Sequence, residues 1–213
     1  MSAKVFDLTG KVVVVTGAAG GIGMAVCRQL GGSGATIILS DIDKSGLERS
    51  KTELDSLGIK CGTFVGNTSI ESEVIALYQY VLKEFGVPDV LVNNAAQGTH
   101  TPPQDTTLEI WNRVIGTSLT GYFLNAREFA KLVLAAKKPA AVVNISSIAG
   151  SSAIGRGNFA YSNAPNINRI FIGMTASTGA GLILQKQLAA LLAKHDTAQY
   201  EIDLAQRLLS ESV

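Results

Sequence analysis

Cysteine is scarce in this 213-residue sequence: Cys27 and Cys61 are the two present, and they form no CxxC pair. That excludes a disulfide framework and leaves no zinc-ligand spacing, so no metal site is expected. Both lie in apolar stretches and read as buried free thiols. A reducing, cytoplasmic compartment follows as the expectation. Charge of one sign is also missing. Lys and Arg number 18 against 17 Asp and Glu, a net charge of +1, and the densest basic pair is Lys137-Lys138. No basic patch for nucleic acid and no field favouring acidic lipid or substrate is expected. Long apolar runs are missing too. The run 12–15 is too short for a signal segment, and nothing approaches the roughly 20 apolar residues of a membrane helix. Neither nucleic acid nor membrane is an expected partner.

What is present is a soluble, slightly apolar composition, 46% hydrophobic and 16% charged, long enough for one domain with a sizeable core. Short β-branched runs alternate with helical patterns. Strands are expected at 12–15, 35–39, 63–65, 90–92 and 140–145. Helices are expected at 22–30, 44–57, 71–85 and, as one long element, 108–136, with a proline-rich loop at 99–105. Val12-Val13-Val14-Val15 is continuous rather than alternating, which suits a strand buried on both faces. The order implies an α/β fold: a Rossmann-type doubly wound parallel sheet with helices on both faces. The chain reads as a single domain over 1–213. Its last part, 162–213, is mostly helical and atypical. A helix is expected at 182–194, a capping box at 196–199 opening a last helix, and 181–184 is the lone candidate for a sixth strand.

The turn Thr16-Gly17-Ala18-Ala19-Gly20-Gly21-Ile22-Gly23 falls between the first strand and the first helix. Gly17 permits a tight turn, Gly21 lets the backbone approach a pyrophosphate, and Gly23 allows helix and strand to pack closely. The helix N-terminus then offers unpaired N–H groups to phosphate. Ala19, Gly20 and Ile22 belong to the same surface. Asp41 ends the second strand, 24 residues after Gly17, where a carboxylate accepts ribose hydroxyls and repels a 2′-phosphate. Ile42 and Asp43 follow it, with no adjacent cation; Asp43 reads as the helix cap. NAD is the expected cofactor, with NADP disfavoured.

With these features the chain resembles the short-chain dehydrogenase/reductase family over about residues 8–161. The segment 16–23 has the family's TGxxxGxG pattern. Asn93-Asn94-Ala95-Ala96 resembles its NNAG motif, and Asn144-Ile145-Ser146-Ser147-Ile148-Ala149-Gly150 resembles the stretch carrying its serine. The resemblance implies hydride transfer between NAD(H) and a small alcohol or carbonyl substrate, and a homodimer or homo-oligomer. It assigns Ser147 to substrate orientation, with Ser146 as rival, Tyr161 to acid/base work, and Ser118 to the relay position usually held by asparagine. It adds Asn67, Thr68, Asn94, Ala95 and Ala96 to the cofactor-binding set, Asn67 standing where an aspartate is usual.

The family's Tyr-x-x-x-Lys motif is here Tyr161-Ser162-Asn163-Ala164-Pro165, with proline in the lysine position. A helix starting near Pro165 would leave Tyr161 on a loop. A lysine ammonium is what lowers a tyrosine pKa from near 10 toward neutrality. The implied function is therefore an oxidoreductase. The alternative is a catalytically impaired NAD(H)-binding or interaction module, a relative with a diverged or truncated C-terminal part.

Overall fold

The computed structural model describes residues 7–147 and 159–162. Five strands, β1 (Val12–Thr16), β2 (Thr36–Asp41), β3 (Cys61–Val65), β4 (Val90–Asn93) and β5 (Ala141–Asn144), form one sheet in the order β3-β2-β1-β4-β5. Every pairing is parallel. The helices are α1 (Gly21–Gly32), α2 (Lys44–Ser56), α3 (Glu71–Phe85), α4 (Leu108–Ile115) and α5 (Gly121–Ala135).

The pleat explains the β-branched runs. Val13 and Val15 point to one face, where they pack with Met24, Val26 and Leu30 of α1 and Leu47 and Leu54 of α2. Val12 and Val14 point to the other, against Val74, Leu77 and Val81 of α3 and Leu124, Phe129 and Val133 of α5. Burial on both faces removes any need for a polar alternate position, which is why β1 reads as continuous valine. The doubly wound parallel sheet expected from the sequence is thus observed.

At the N-terminal end of the sheet, the buried Asp89 carboxylate accepts the Val12 N–H at 2.9 Å. Lys11 at 3.2 Å and Lys138 at 3.0 Å neutralise it. The opposite end, where all strands point, is left to the loops. Because β1 continues to β2 on one side and neighbours β4 on the other, those loops part between β1 and β4, the crevice where such sheets bind ligands.

Two expectations need correction. The helix expected over 108–136 is not one regular α-helix: Gly116–Thr120 forms a π-helical turn between α4 and α5. The turn ends at a close approach between α5 and Thr68. A Cβ on Gly121 would run into the Thr68 hydroxyl and lie 3.0 Å from the Thr68 carbonyl oxygen. Asn125 on the next turn donates to the same hydroxyl at 3.2 Å. Second, Tyr161 does not sit on a loop. Residues 159–162 are helical, and the Phe159 ring packs on Trp111 of α4 with centroids 5.9 Å apart. The helices expected at 182–194 and beyond, the strand candidate at 181–184, and Pro165 lie outside the described residues. Cys27 is buried as expected, whereas Cys61, the first residue of β3, is half-buried.

Candidate active site

The glycine turn is built into its neighbours. Gly17 has φ +65, and a Cβ there would lie 2.8 Å from the Cα of Ala95. A Cβ on Gly23 would collide with the Gly17 carbonyl and lie 2.7 Å from Asn94 Nδ2. Both glycines are therefore required by packing between the β1 exit and the β4 exit. Gly21 differs. Its φ of +55 favours glycine, yet its Cβ direction meets nothing within 4 Å. Gly20, at the N-cap of α1, also faces open space and supplies no capping side chain. No acidic residue stands in the first turn of α1. The leading N–H groups of that helix thus face a gap with a partial positive charge, a surface suited to an anion.

Thr16 and Asn94 hold the turn against β4. The Thr16 hydroxyl accepts the N–H groups of Asn94 at 3.0 Å and Ala95 at 3.1 Å. The Asn94 side-chain amide donates to the carbonyls of Thr16 and Gly17, both at 3.0 Å. Its two N–H bonds are spent on the scaffold. The motif resemblance points to Asn94 as a cofactor ligand; the Thr16 hydroxyl, which joins the two exits, carries no such signal in the sequence.

Asp41 reaches the turn from β2. Its Oδ2 accepts the Ala19 N–H at 2.9 Å and its Oδ1 accepts the Asp43 N–H at 3.0 Å. Each oxygen keeps a further lone-pair direction for a hydroxyl donor. Ile42 beside it is 67% exposed. Asp43 takes the N-cap position of α2 as expected. The Gly46 amide and the Ser45 hydroxyl hold its carboxyl below the usual aspartate range.

Beyond β3, Asn67 Oδ1 accepts the Ser69 N–H at 2.9 Å and the Ser69 hydroxyl at 2.7 Å. Thr68 abuts Gly121, as described above. Ala95 is buried next to Gly17, and Ala96 lies on the same β4 exit loop.

At the other side of the crevice, Asn93 and Asn144 are register partners of β4 and β5, and Asn93 Nδ2 donates to Asn144 Oδ1 at 2.9 Å. The Tyr122 hydroxyl of α5 donates to the Ile145 carbonyl at 2.9 Å, two residues before Ser147. Ser118 is buried in the π turn, and its hydroxyl oxygen accepts the Gln97 N–H at 3.1 Å. Tyr161 and Ser147 are both half-buried. The contacts of Asn93, Tyr122 and Trp111 are not legible in the sequence, because their partners are distant in the chain. Among the described residues, no cluster of His, Cys, Asp and Glu could hold a metal, and no helix is long and apolar enough to cross a membrane.

Comparison with known proteins agrees with this geometry. The 3beta-hydroxysteroid dehydrogenase 1 of Eggerthella lenta is 32% identical over 143 residues, 67% of this chain and 55% of that protein. The chain thus spans little more than half the length of the curated relatives it matches. A crystal structure of NAD+-bound xylitol dehydrogenase superposes with a TM-score of 0.70 at 29% identity, covering 87% of this chain and 66% of that one. A metagenomic short-chain oxidoreductase in complex with NADP superposes with a TM-score of 0.71 at 34% identity, covering 76% and 74%. Residues 11–164, which contain the glycine turn, Asp41 and Tyr161, match the short chain dehydrogenase family, and the chain belongs to it.

Proposed function

We propose that this chain is an NAD(H)-dependent oxidoreductase that moves hydride between the dinucleotide and a small alcohol or ketone. One observation carries the reading: Asp41 at the β2 exit bonds the glycine turn through Ala19 N–H. A ribose acceptor and a phosphate-binding helix start are thereby fixed to each other. The carboxylate favours NAD(H), because a 2′-phosphate on the adenosine ribose would meet a like charge at Asp41.

Gly20, Gly21, Ile22 and Gly23 would hold the pyrophosphate on the start of α1, and Asp41 with Ile42 the adenosine end. When bound, the nicotinamide supplies or takes the hydride. Ser147 orients the substrate oxygen, and Tyr161 exchanges the proton on that oxygen. Ser118 takes the relay position and, through Gln97, also restrains the loop after β4. A cytoplasmic protein and a homodimer along α4 and α5 complete the proposal; Leu108, Phe123 and Leu134 stand exposed on those helices.

Pro165 occupies the position at which the family's lysine assists the tyrosine. This favours a second reading, an NAD(H)-binding module without turnover. Impaired acid–base help lowers a rate by about 10²–10⁴-fold. The deciding experiment is NADH oxidation with a panel of ketones. Slow turnover that vanishes in Tyr161→Phe is expected. NADH binding with no turnover on any ketone would select the second reading.

A further inference from the structure

β3 is an outer strand: β2 pairs with it on one side, and no described strand pairs with it on the other. Its hydrogen bonds fix which groups are left over. Ile37 N–H donates to the Lys60 carbonyl and Gly66 N–H to the Asp41 carbonyl, each at 2.9 Å. In a parallel ladder alternate residues bond the same neighbour. Gly62 and Phe64 therefore turn their main-chain groups to β2, and Cys61, Thr63 and Val65 turn theirs outward. An open edge of this kind is a template for a further strand, and proteins blunt it with charge, proline or a bulge. β3 has none of these. Cys61-Gly62-Thr63-Phe64-Val65 is uncharged, and its register with β2 runs unbroken from Ile37 opposite Cys61 to Asp41 opposite Val65.

The edge is complementary to itself. A second copy turned about a two-fold axis at Thr63, perpendicular to the sheet, brings its own β3 alongside in the antiparallel sense. Cys61 then faces the partner's Val65, and Thr63 faces the partner's Thr63. The outward N–H and carbonyl groups of these residues meet, two bonds at each opposed pair. On the α3 side Gly62 faces the partner's Phe64. The space a Cβ on Gly62 would take is filled by Phe85 Cζ at 2.5 Å and the Tyr80 hydroxyl at 2.8 Å. Phe64, Tyr80 and Phe85 already stack in sequence, with centroids 5.8 and 5.7 Å apart. The partner's Phe64 extends that row across the glycine, a pairing that restores the packing a strand glycine lacks.

The charges agree with the same register. Lys60 faces the partner's Gly66, and a Cβ on Gly66 would lie 3.6 Å from Glu73 Oε2. Lys60 is exposed and joins no ion pair among the described residues. Each Lys60 ammonium is thus brought to the partner's Glu73 carboxylate, once on either side of the axis. We propose that the β3 edge is an interface at which two copies of this chain join their sheets, antiparallel and in register at Thr63. This surface shares no residue with the α4 and α5 faces and does not rest on the cofactor reading.

Hydrogen exchange of the full chain at about 1 mM and about 1 μM tests it. The amides of Gly62 and Phe64 are bonded to β2 and should be protected at both concentrations. Those of Cys61, Thr63 and Val65 should exchange freely in the dilute sample and about tenfold more slowly in the concentrated one. Thr63→Pro keeps the β2 ladder, because the N–H it deletes points outward, and should abolish the slowing at Cys61 and Val65. Lys60→Glu and Glu73→Lys each place like charges across the axis and should abolish it alone. An equal mixture of these two variants restores both opposite-charge pairs and should recover the slowing. Free exchange of the wild-type amides of Cys61, Thr63 and Val65 at 1 mM overturns the proposal. Protection that does not change with concentration also overturns it, since the edge is then covered from within the chain. Two folded charge variants whose mixture recovers nothing would overturn the register.

Discussion

The side-chain amide of Asn94 spans the mouth of the crevice and donates to two successive carbonyls, Thr16 and Gly17, at 3.0 Å each. The residue that leaves β4 therefore sets the path of the turn that leaves β1. Replacing Asn94 by Asp exchanges its doubly donating NH2 for an oxygen that faces two carbonyl oxygens. A loss of about 1–3 kcal/mol in urea denaturation is expected. NADH affinity should fall with it, because the glycine turn loses its support. Wild-type stability in Asn94→Asp would contradict this role.

The glycines of the turn separate by experiment. In Gly23→Ala the new methyl meets the Gly17 carbonyl, a backbone group that cannot move aside, and stability should fall by about 1–3 kcal/mol. In Gly21→Ala the methyl meets no protein atom, so the structural cost is the φ of +55 alone, about 1–2 kcal/mol. That methyl enters the space assigned to the pyrophosphate. Gly21→Ala should therefore lose more in NADH affinity than in melting temperature. Paired calorimetry and thermal melts read the difference directly.

Burial pushes the Cys27 thiol up to about 12 from an ordinary 9.0. Between those pH values the folded chain keeps a proton that the unfolded chain has lost. The thiol's contribution is complete below about pH 9 and declines as pH rises toward 12, by up to about 1.4 kcal/mol per pH unit. Urea midpoints measured across this range should fall less steeply in Cys27→Ala than in the wild type. Parallel slopes would show that another group governs the alkaline limb.

Tyr122 ties α5 to the exit of β5 through the Ile145 carbonyl. Tyr122→Phe keeps the ring and removes that bond, for an expected cost of about 1 kcal/mol. Because Ser147 is two residues further on, hydrogen exchange at the amides of Ile145, Ser146 and Ser147 should rise more than exchange in β1. Uniform change across the sheet would assign Tyr122 a purely global role.

The parts legible in the sequence are those whose cause is local. Helix α3 was read with both of its ends, because Glu71 opens a periodic apolar pattern that Gly86 closes. β1 was legible from four valines. The π turn was not: it ends where Thr68, 53 positions away in sequence, abuts Gly121. The motif pattern points both Asn94 and Asp41 toward a cofactor. Asn94 spends its amide on the β1 turn, and Asp41 bonds that same turn through Ala19. Composition around either residue carries no trace of those bonds. Pro165 disfavours helix just before it and so predicts Tyr161 on a loop, whereas residues 159–162 are helical and Phe159 packs on Trp111, a tertiary contact that composition does not announce.

The proposed cofactor preference rests on the glycine turn and Asp41 acting together. Calorimetric titration of the purified chain with NADH, with NADPH as control, tests it most directly. Micromolar NADH binding, worth about 8 kcal/mol, is expected, with NADPH weaker by tenfold or more. Asp41→Asn should narrow that gap. Equal affinity for the two dinucleotides, or binding of neither, would contradict it.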